Sequence, residues 1–118
     1  MLAQLTTVLC VGIFTNMDAV PIIDKTREYW GGRIVEIVVW EVPEPVAGSA
    51  HLYKYRLFFG EPGRRLVGFD NERGKGDHRH EGDMEYPYAF TDIPTLLRDF
   101  RAAIDRWEKS HDDPDHRD

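Results

Sequence analysis

The residues of this sequence that are best suited to chemistry lie between Phe69 and His80. This stretch reads FDNERGKGDHRH and holds three acidic residues, three basic residues, two histidines and two glycines. Glycine permits backbone conformations that bring such groups close together. A solvated loop needs polar side chains but does not need so many different kinds of them. If the chain catalyses a reaction or binds an anion, we expect it to do so here.

The two histidines have a spacing that suits joint action on one substrate. His78 and His80 are two residues apart, so both side chains point the same way if the chain is extended. Because histidine titrates near neutral pH, the pair could act as general acid and general base on a ribose hydroxyl and its leaving oxygen, without a cofactor. The same pair could instead bind a divalent metal ion together with Asp70 or Asp77. The residues alone leave both readings open beside that of ordinary surface histidines.

Other charged residues in and near this stretch could complete a site. Asp70 and Asp77 are candidate catalytic carboxylates, although Asp70, at the end of a predicted strand, also suits a turn-shaping role. Gly74-Lys75-Gly76 lacks the spacing of a P-loop, yet its backbone and its ammonium group could approach a phosphate closely. The candidate phosphate-binding residues are Lys75, Arg79, Arg56, Lys54 and Asn71.

The charge of the chain is unevenly distributed. The net charge is −6, which argues against a protein that coats nucleic acid non-specifically. Between His51 and His80, however, seven lysines and arginines stand against four acidic residues, so the centre of the chain is locally cationic. The single cysteine, Cys10, excludes an intrachain disulfide and fits a cytoplasmic location. The apolar run Leu5–Phe14 is too short to span a bilayer, so no membrane association is expected.

The length of 118 residues predicts a single domain. We place that domain at residues 17–110. Residues 1–16 are expected to form an N-terminal extension, either a flexible arm or an added edge strand. Residues 111–118 are expected to form a polar tail.

The hydrophobic pattern predicts an α+β fold. Alternating residues indicate extended strands that are joined by turns, and these are Val20–Tyr29, Arg33–Val42, His51–Phe59, Arg64–Asp70 and a short Tyr86–Phe90. Apolar residues at helical spacing follow, behind a cap at Thr91 or Asp92. We therefore expect an antiparallel meander of about four to five strands, covered on one face by a C-terminal amphipathic helix. The uncovered face suggests a homodimer or a complex with a partner.

Several of these segments together resemble the TumE-like toxins of bacterial toxin–antitoxin pairs. The resemblance covers roughly Ile22 to Trp107 and rests on YKYRL at 53–57, FDNERGKGDHRH at 69–80, E-x-P-Y-x-F at 85–90 and the helix that follows. Relatives in that family keep an aromatic-Asp-Asn and an H-x-H motif. The resemblance therefore points to Asp70, Asn71, His78 and His80 as the important positions.

The resemblance implies a growth-inhibiting toxin with a helix-turn-helix antitoxin as its partner and RNA as its substrate. We expect a small endoribonuclease that acts through His78 and His80. One alternative is a non-enzymatic module that binds a cellular target or the antitoxin through the same stretch. Another alternative is a nucleotidyl or phosphoryl transferase, which Gly74-Lys75-Gly76 would favour.

Overall fold

The computed structural model describes residues 18–111, which form a single antiparallel sheet and one helix. The strands are β1 (Val20–Tyr29), β2 (Arg33–Glu41), β3 (Tyr53–Glu61), β4 (Arg64–Glu72), β5 (Gly76–Glu81) and β6 (Met84–Pro87), and the helix is α1 (Ile93–His111). Neighbouring strands along the chain are neighbours in the sheet, so the topology is a simple meander. The predicted α+β class is confirmed. The predicted extension over 1–16 and residues 112–118 of the predicted tail lie outside the described residues.

The sheet has six strands, which is more than the four to five expected. The additional strand is β5, whose charged sequence GDHRHE has little intrinsic preference for a strand. A tight turn makes it possible, because Gly74 and Gly76 adopt positive φ angles of 83° and 79°. The residues after Asp70, which lie outside the predicted strands, therefore form a hairpin with β4, and β5 pairs with β4 along its whole length.

The hydrophobic core lies between the sheet and α1, on the side that we call the helix face. Alternate residues of the central strands and one stripe of the helix are buried there, and they include Val39, Tyr55, Leu57, Phe59, Val67, Phe69, Leu96, Phe100, Ala103 and Ile104. Burying one such large apolar side chain contributes about 1.5–3 kcal/mol. The opposite side of the sheet, which α1 does not contact, we call the open face.

The start of α1 is set by its cap. Asp92 Oδ1 accepts a hydrogen bond from the backbone N–H of Thr95 at 2.8 Å, so the predicted cap is confirmed at Asp92. Pro94 sits in the first turn, where its missing N–H costs nothing. The helix packs chiefly against β4. Among residues 18–111, no helix is long and apolar enough to cross a membrane.

The connection between β2 and β3 is fastened to the turn between β4 and β5. The N–H of Gly74 donates to the carbonyl of Ala47 at 2.6 Å. Gly48 has a φ angle of +98°, and a Cβ at this position would lie 2.7 Å from the backbone nitrogen of Gly76. Only glycine permits both this conformation and this close approach.

Candidate functional site

The two histidines lie side by side on the open face of β5. In the neighbouring strand β4, Asp70 pairs with His78 and Gly68 pairs with His80. In β6, Glu85 pairs with His80. The two imidazole centroids are 6.5 Å apart. We call the group formed by these two histidines, Asp70, Glu85 and Arg65 the histidine cluster.

Both ring nitrogens of His78 face oxygen atoms. Nε2 lies 2.6 Å from the backbone carbonyl oxygen of Lys75, which can only accept, so Nε2 carries a hydrogen. Nδ1 lies 3.0 Å from Glu85 Oε2, at ion-pair distance but without hydrogen-bond geometry. His78 is therefore a donor at Nε2 and faces a carboxylate at Nδ1.

His80 has the opposite surroundings. Its Nδ1 lies 3.0 Å from Nη2 of Arg65, and because a guanidinium only donates, this nitrogen is the acceptor. The ring hydrogen is therefore on Nε2, which faces Asp70 Oδ1 at 3.8 Å. Burial, and then the positive charge of Arg65, lower the pKa of His80 below its ordinary value of 6.5, although the nearby carboxylates act against this shift. His80 is therefore a neutral ring at pH 7.

Arg65 reaches His80 because Gly68 lies beneath it. A Cβ at position 68 would come within 2.6 Å of Arg65 Cδ, so only a glycine lets the arginine lie flat across β4. Neither Arg65 nor Gly68 was predicted from the sequence as a site residue. A signal was present at Gly68, since glycine inside a strand often marks the close approach of another group.

Three of the predicted phosphate-binding residues lie on or beside the open face. The side chain of Arg56 is 56% exposed and donates from Nη1 to Glu36 Oε1 at 2.9 Å. Lys54 Nζ donates to a backbone carbonyl of β4 at 2.6 Å, and burial lowers the pKa of Lys54. Lys75 is exposed in the turn between β4 and β5. These cations and the histidine cluster therefore share one side of the sheet.

Three other predicted site residues lie on the helix face. Asp77 and Arg79 flank the first histidine in β5, so the alternation of a strand directs them away from it. Arg79 pairs with Glu81, and its guanidinium lies 4.4 Å from the ring centroid of Tyr86. Asn71 is fully buried, with 0% exposure. The structure therefore does not bring these three residues together with the histidine pair.

Asp77 lies at the centre of a partly buried polar cluster that we define as Ser49, His51, Tyr55, Asn71 and Asp77. Its carboxylate accepts hydrogen bonds from Ser49 Oγ at 2.6 Å and from the hydroxyl of Tyr55 at 2.6 Å. His51 Nε2 lies 2.7 Å from the same carboxylate. Because His51 Nδ1 accepts from the backbone N–H of Tyr53, the ring hydrogen is on Nε2 and donates to Asp77.

Both the oxygen and the nitrogen of the Asn71 side-chain amide form hydrogen bonds in this cluster. Its Oδ1 accepts from the N–H of Tyr55 at 2.9 Å, and its Nδ2 donates to the carbonyl of Tyr53 at 2.7 Å and to Ser49 Oγ at 3.2 Å. Ser49 donates to Asp77 and not to His51, which is not the order of groups in a nucleophilic triad. The cluster holds the β2–β3 connection against β3, β4 and β5.

The predicted metal ligands converge only in part, because Asp70 lies beside the histidine pair and Asp77 does not. His78 and His80 are on the open face, whereas Asp77 is on the helix face. Within the part of the chain from residue 18 to residue 111, no group of three or more histidine, cysteine and acidic side chains is arranged to hold a metal ion.

Comparison with known proteins identifies the family of the chain. Residues 14–108, about four fifths of the sequence, match the model of a family described as toxin TumE. No curated protein and no solved structure matches the chain. The matched region includes the whole sheet and nearly all of α1, and with it the histidine cluster. The match confirms the resemblance of the sequence motifs, and the chain belongs to the toxin TumE family.

Proposed function

We propose that this toxin is a small endoribonuclease whose catalytic residues are His78 and His80. The observation that carries the proposal is the pair of imidazoles on one face of β5, 6.5 Å apart and in opposite hydrogen-bonding surroundings. His80 accepts at Nδ1 and has a lowered pKa, which suits a general base, whereas His78 donates at Nε2. Membership of the TumE family makes the chain a toxin of the toxin–antitoxin type. RNA as substrate, the cytoplasm as location and a helix-turn-helix antitoxin as partner belong to the proposal.

His80 is the general base. Its lowered pKa keeps the ring neutral at pH 7, so that Nδ1 can accept the proton of a ribose 2′-hydroxyl. Arg65 occupies this nitrogen when no substrate is bound. A phosphate is a stronger partner for a guanidinium than a neutral imidazole is, so binding of RNA draws Arg65 onto the phosphate and exposes Nδ1. Asp70, on the Nε2 side of the ring, keeps the ring hydrogen on that nitrogen.

His78 is the general acid. As the 2′-oxygen forms its bond to phosphorus, the bond from phosphorus to the 5′-oxygen breaks, and that oxygen takes a proton from His78. The products are a 2′,3′-cyclic phosphate and a 5′-hydroxyl. Glu85, which is 42% exposed, covers Nδ1 of His78 when no substrate is bound. Since like charges repel, the incoming phosphate displaces this carboxylate and uncovers the ring.

The cations of the open face stabilise the charge that develops on phosphorus. Arg65 is nearest to the histidines, with Arg56 and Lys54 on the next strand and Lys75 at the end of the hairpin. Donors that are already in place where charge develops are usually the largest single contribution to catalysis. We assign the predicted residues Asp77, Asn71 and Arg79 to the helix face, where they support the fold rather than contact RNA.

The β4–β5 hairpin gives little support to the alternative function of a nucleotidyl or phosphoryl transferase. The N–H of Gly74 already donates to Ala47, and that of Lys75 donates to the carbonyl of Glu72. A phosphate cradle needs such backbone donors to be available. The turn therefore offers a phosphate little beyond the ammonium group of Lys75.

The test is RNA cleavage by purified protein in the presence of a chelator. Cleavage should leave 2′,3′-cyclic phosphate ends, survive EDTA, and fall by about 10²–10⁴-fold in His78→Ala and in His80→Ala. His111→Ala, at the exposed end of α1, is the matched control and should cleave normally. Loss of cleavage in EDTA would instead support a metal-dependent site. RNA left intact with and without metal ions, by a protein that still arrests growth, would show a non-enzymatic toxin.

A further inference from the structure

The helix face is only partly covered, and the uncovered part forms a groove. An α-helix is about 10–12 Å wide, whereas six strands spaced about 4.8 Å apart are more than twice as wide. Because α1 packs chiefly on β4, the face above β1 and β2 is left open. A groove of about 410 Å³ runs there between α1 and the two strands. Two strands spaced about 4.8 Å apart present a face about 10 Å wide, which is close to the width of one helix.

The groove has an apolar floor and a cationic rim. The floor is formed by side chains from both the sheet and the helix, namely Tyr29, Val35, Ile37, Leu97, Phe100 and Ile104. Among the residues that line the groove, Lys25 and Arg27 on β1 and Arg101 on α1 are cationic, and Asp105 is acidic. An excess of positive charge around this groove stands out in a chain whose net charge is −6.

We propose that this groove binds an amphipathic α-helix of a partner protein, with acidic residues on both sides of its apolar stripe. Such a helix would lie beside α1 and complete the second layer of the fold. Its apolar stripe would fill the floor, and its carboxylates would face Lys25, Arg27 and Arg101. The groove is on the side opposite the histidine cluster, so this binding site goes beyond the proposed RNA cleavage and does not depend on it.

The two terminal segments of the chain and a second copy of the chain are other possible occupants, and they complement the charge and the apolar floor of the groove less well. Residues 1–17 of this chain contain no aspartate or glutamate that could pair with the cationic rim. Residues 112–118, DDPDHRD, are acidic but provide no large apolar side chain for the floor. A second copy that paired symmetrically through β1 would place Lys25 and Arg27 close to their own counterparts, and like charges repel.

The test uses two designed helical peptides and the full-length chain. Each peptide has about 18 residues, or five turns, with leucines at helical spacing. One carries glutamates on both flanks of the leucine stripe, and the other carries lysines at the same positions. Fluorescence anisotropy should show that the glutamate peptide binds about tenfold more tightly or better, a preference that weakens with salt. Lys25→Glu/Arg27→Glu should reverse the preference, whereas the control Arg64→Glu, at the exposed start of β4, should leave it unchanged.

Three results would overturn the proposal. The first is equal binding of the two peptides, or binding that Lys25→Glu/Arg27→Glu leaves unchanged. The second is a dimeric mass by sedimentation that the same double variant converts to a monomer, which would show a second copy in the groove. The third uses Cys10, the sole cysteine, as the site of a nitroxide label. Paramagnetic broadening of the methyl signals of Ile37 and Leu97 would show that the N-terminal segment of the chain occupies the groove.

Discussion

Replacing Asn71 with alanine is expected to lower the free energy of unfolding by about 2–6 kcal/mol, since a buried polar group that loses its partner costs about 1–3 kcal/mol. Two backbone groups lose their partner in this variant, namely the N–H of Tyr55 and the carbonyl of Tyr53. Asn71 is 0% exposed, so water cannot easily replace the lost amide. The loss is a large fraction of the stability of a typical domain, about 5–15 kcal/mol.

Urea unfolding followed by tryptophan fluorescence measures this effect. With a typical m-value of about 2 kcal/mol/M, the unfolding midpoint of Asn71→Ala should fall by about 1–3 M. The neighbouring residue gives the matched control, because Glu72 is exposed and makes only a surface ion pair with Lys75 at 3.6 Å. Glu72→Ala should change the stability by less than about 1 kcal/mol. If Asn71→Ala unfolds at the wild-type urea concentration and yet cleaves no RNA, Asn71 acts in the site and the structural assignment is wrong.

Two glycines give further predictions. Gly68→Ala places a Cβ 2.6 Å from Cδ of Arg65 and should displace this flexible side chain, with the fold retained. Moving this positive charge away should raise the pKa of His80, and Arg65→Ala should have the same effect. Cleavage increases with pH as His80 loses its proton, so this increase should occur at a higher pH in both variants. An unchanged His80 titration by NMR in both variants would refute the contact. Gly48→Ala, whose Cβ would meet backbone at 2.7 Å, should unfold at a far lower temperature than Gly63→Ala, which has a similar φ of +78° but no atom within 4 Å. Equal melting temperatures would contradict this.

The class of the fold and most of its elements were predictable because they depend on local periodicity. The alternation in β3, the β-branched residues of β2 and the helical spacing in α1 indicate strand or helix before any tertiary contact is known. The cap at Asp92 and the turn glycines act within a few residues of their own position. A short edge strand was predicted at Tyr86–Phe90, and the observed β6, Met84–Pro87, overlaps it only at Tyr86 and Pro87.

The strand β5 was not predicted, because its formation depends on a partner. The segment GDHRHE is charged and has little strand propensity of its own, but β4 and β6 offer it hydrogen-bonding neighbours on both sides. Strand pairing of this kind joins residues from different segments of the chain, so the pattern within one segment does not predict it.

The residues of the candidate site likewise divide into those that the sequence predicted and those that it did not. The sequence by itself determined that His78 and His80 share one face, since residues two apart in an extended chain must do so. The same rule places Asp77 and Arg79 on the helix face once β5 is known to be a strand. Only the tertiary structure decided that Arg65 and Glu85 meet the histidines. The physical reason is that strand register brings these residues together, and register follows from the packing of the whole sheet rather than from spacing along the chain.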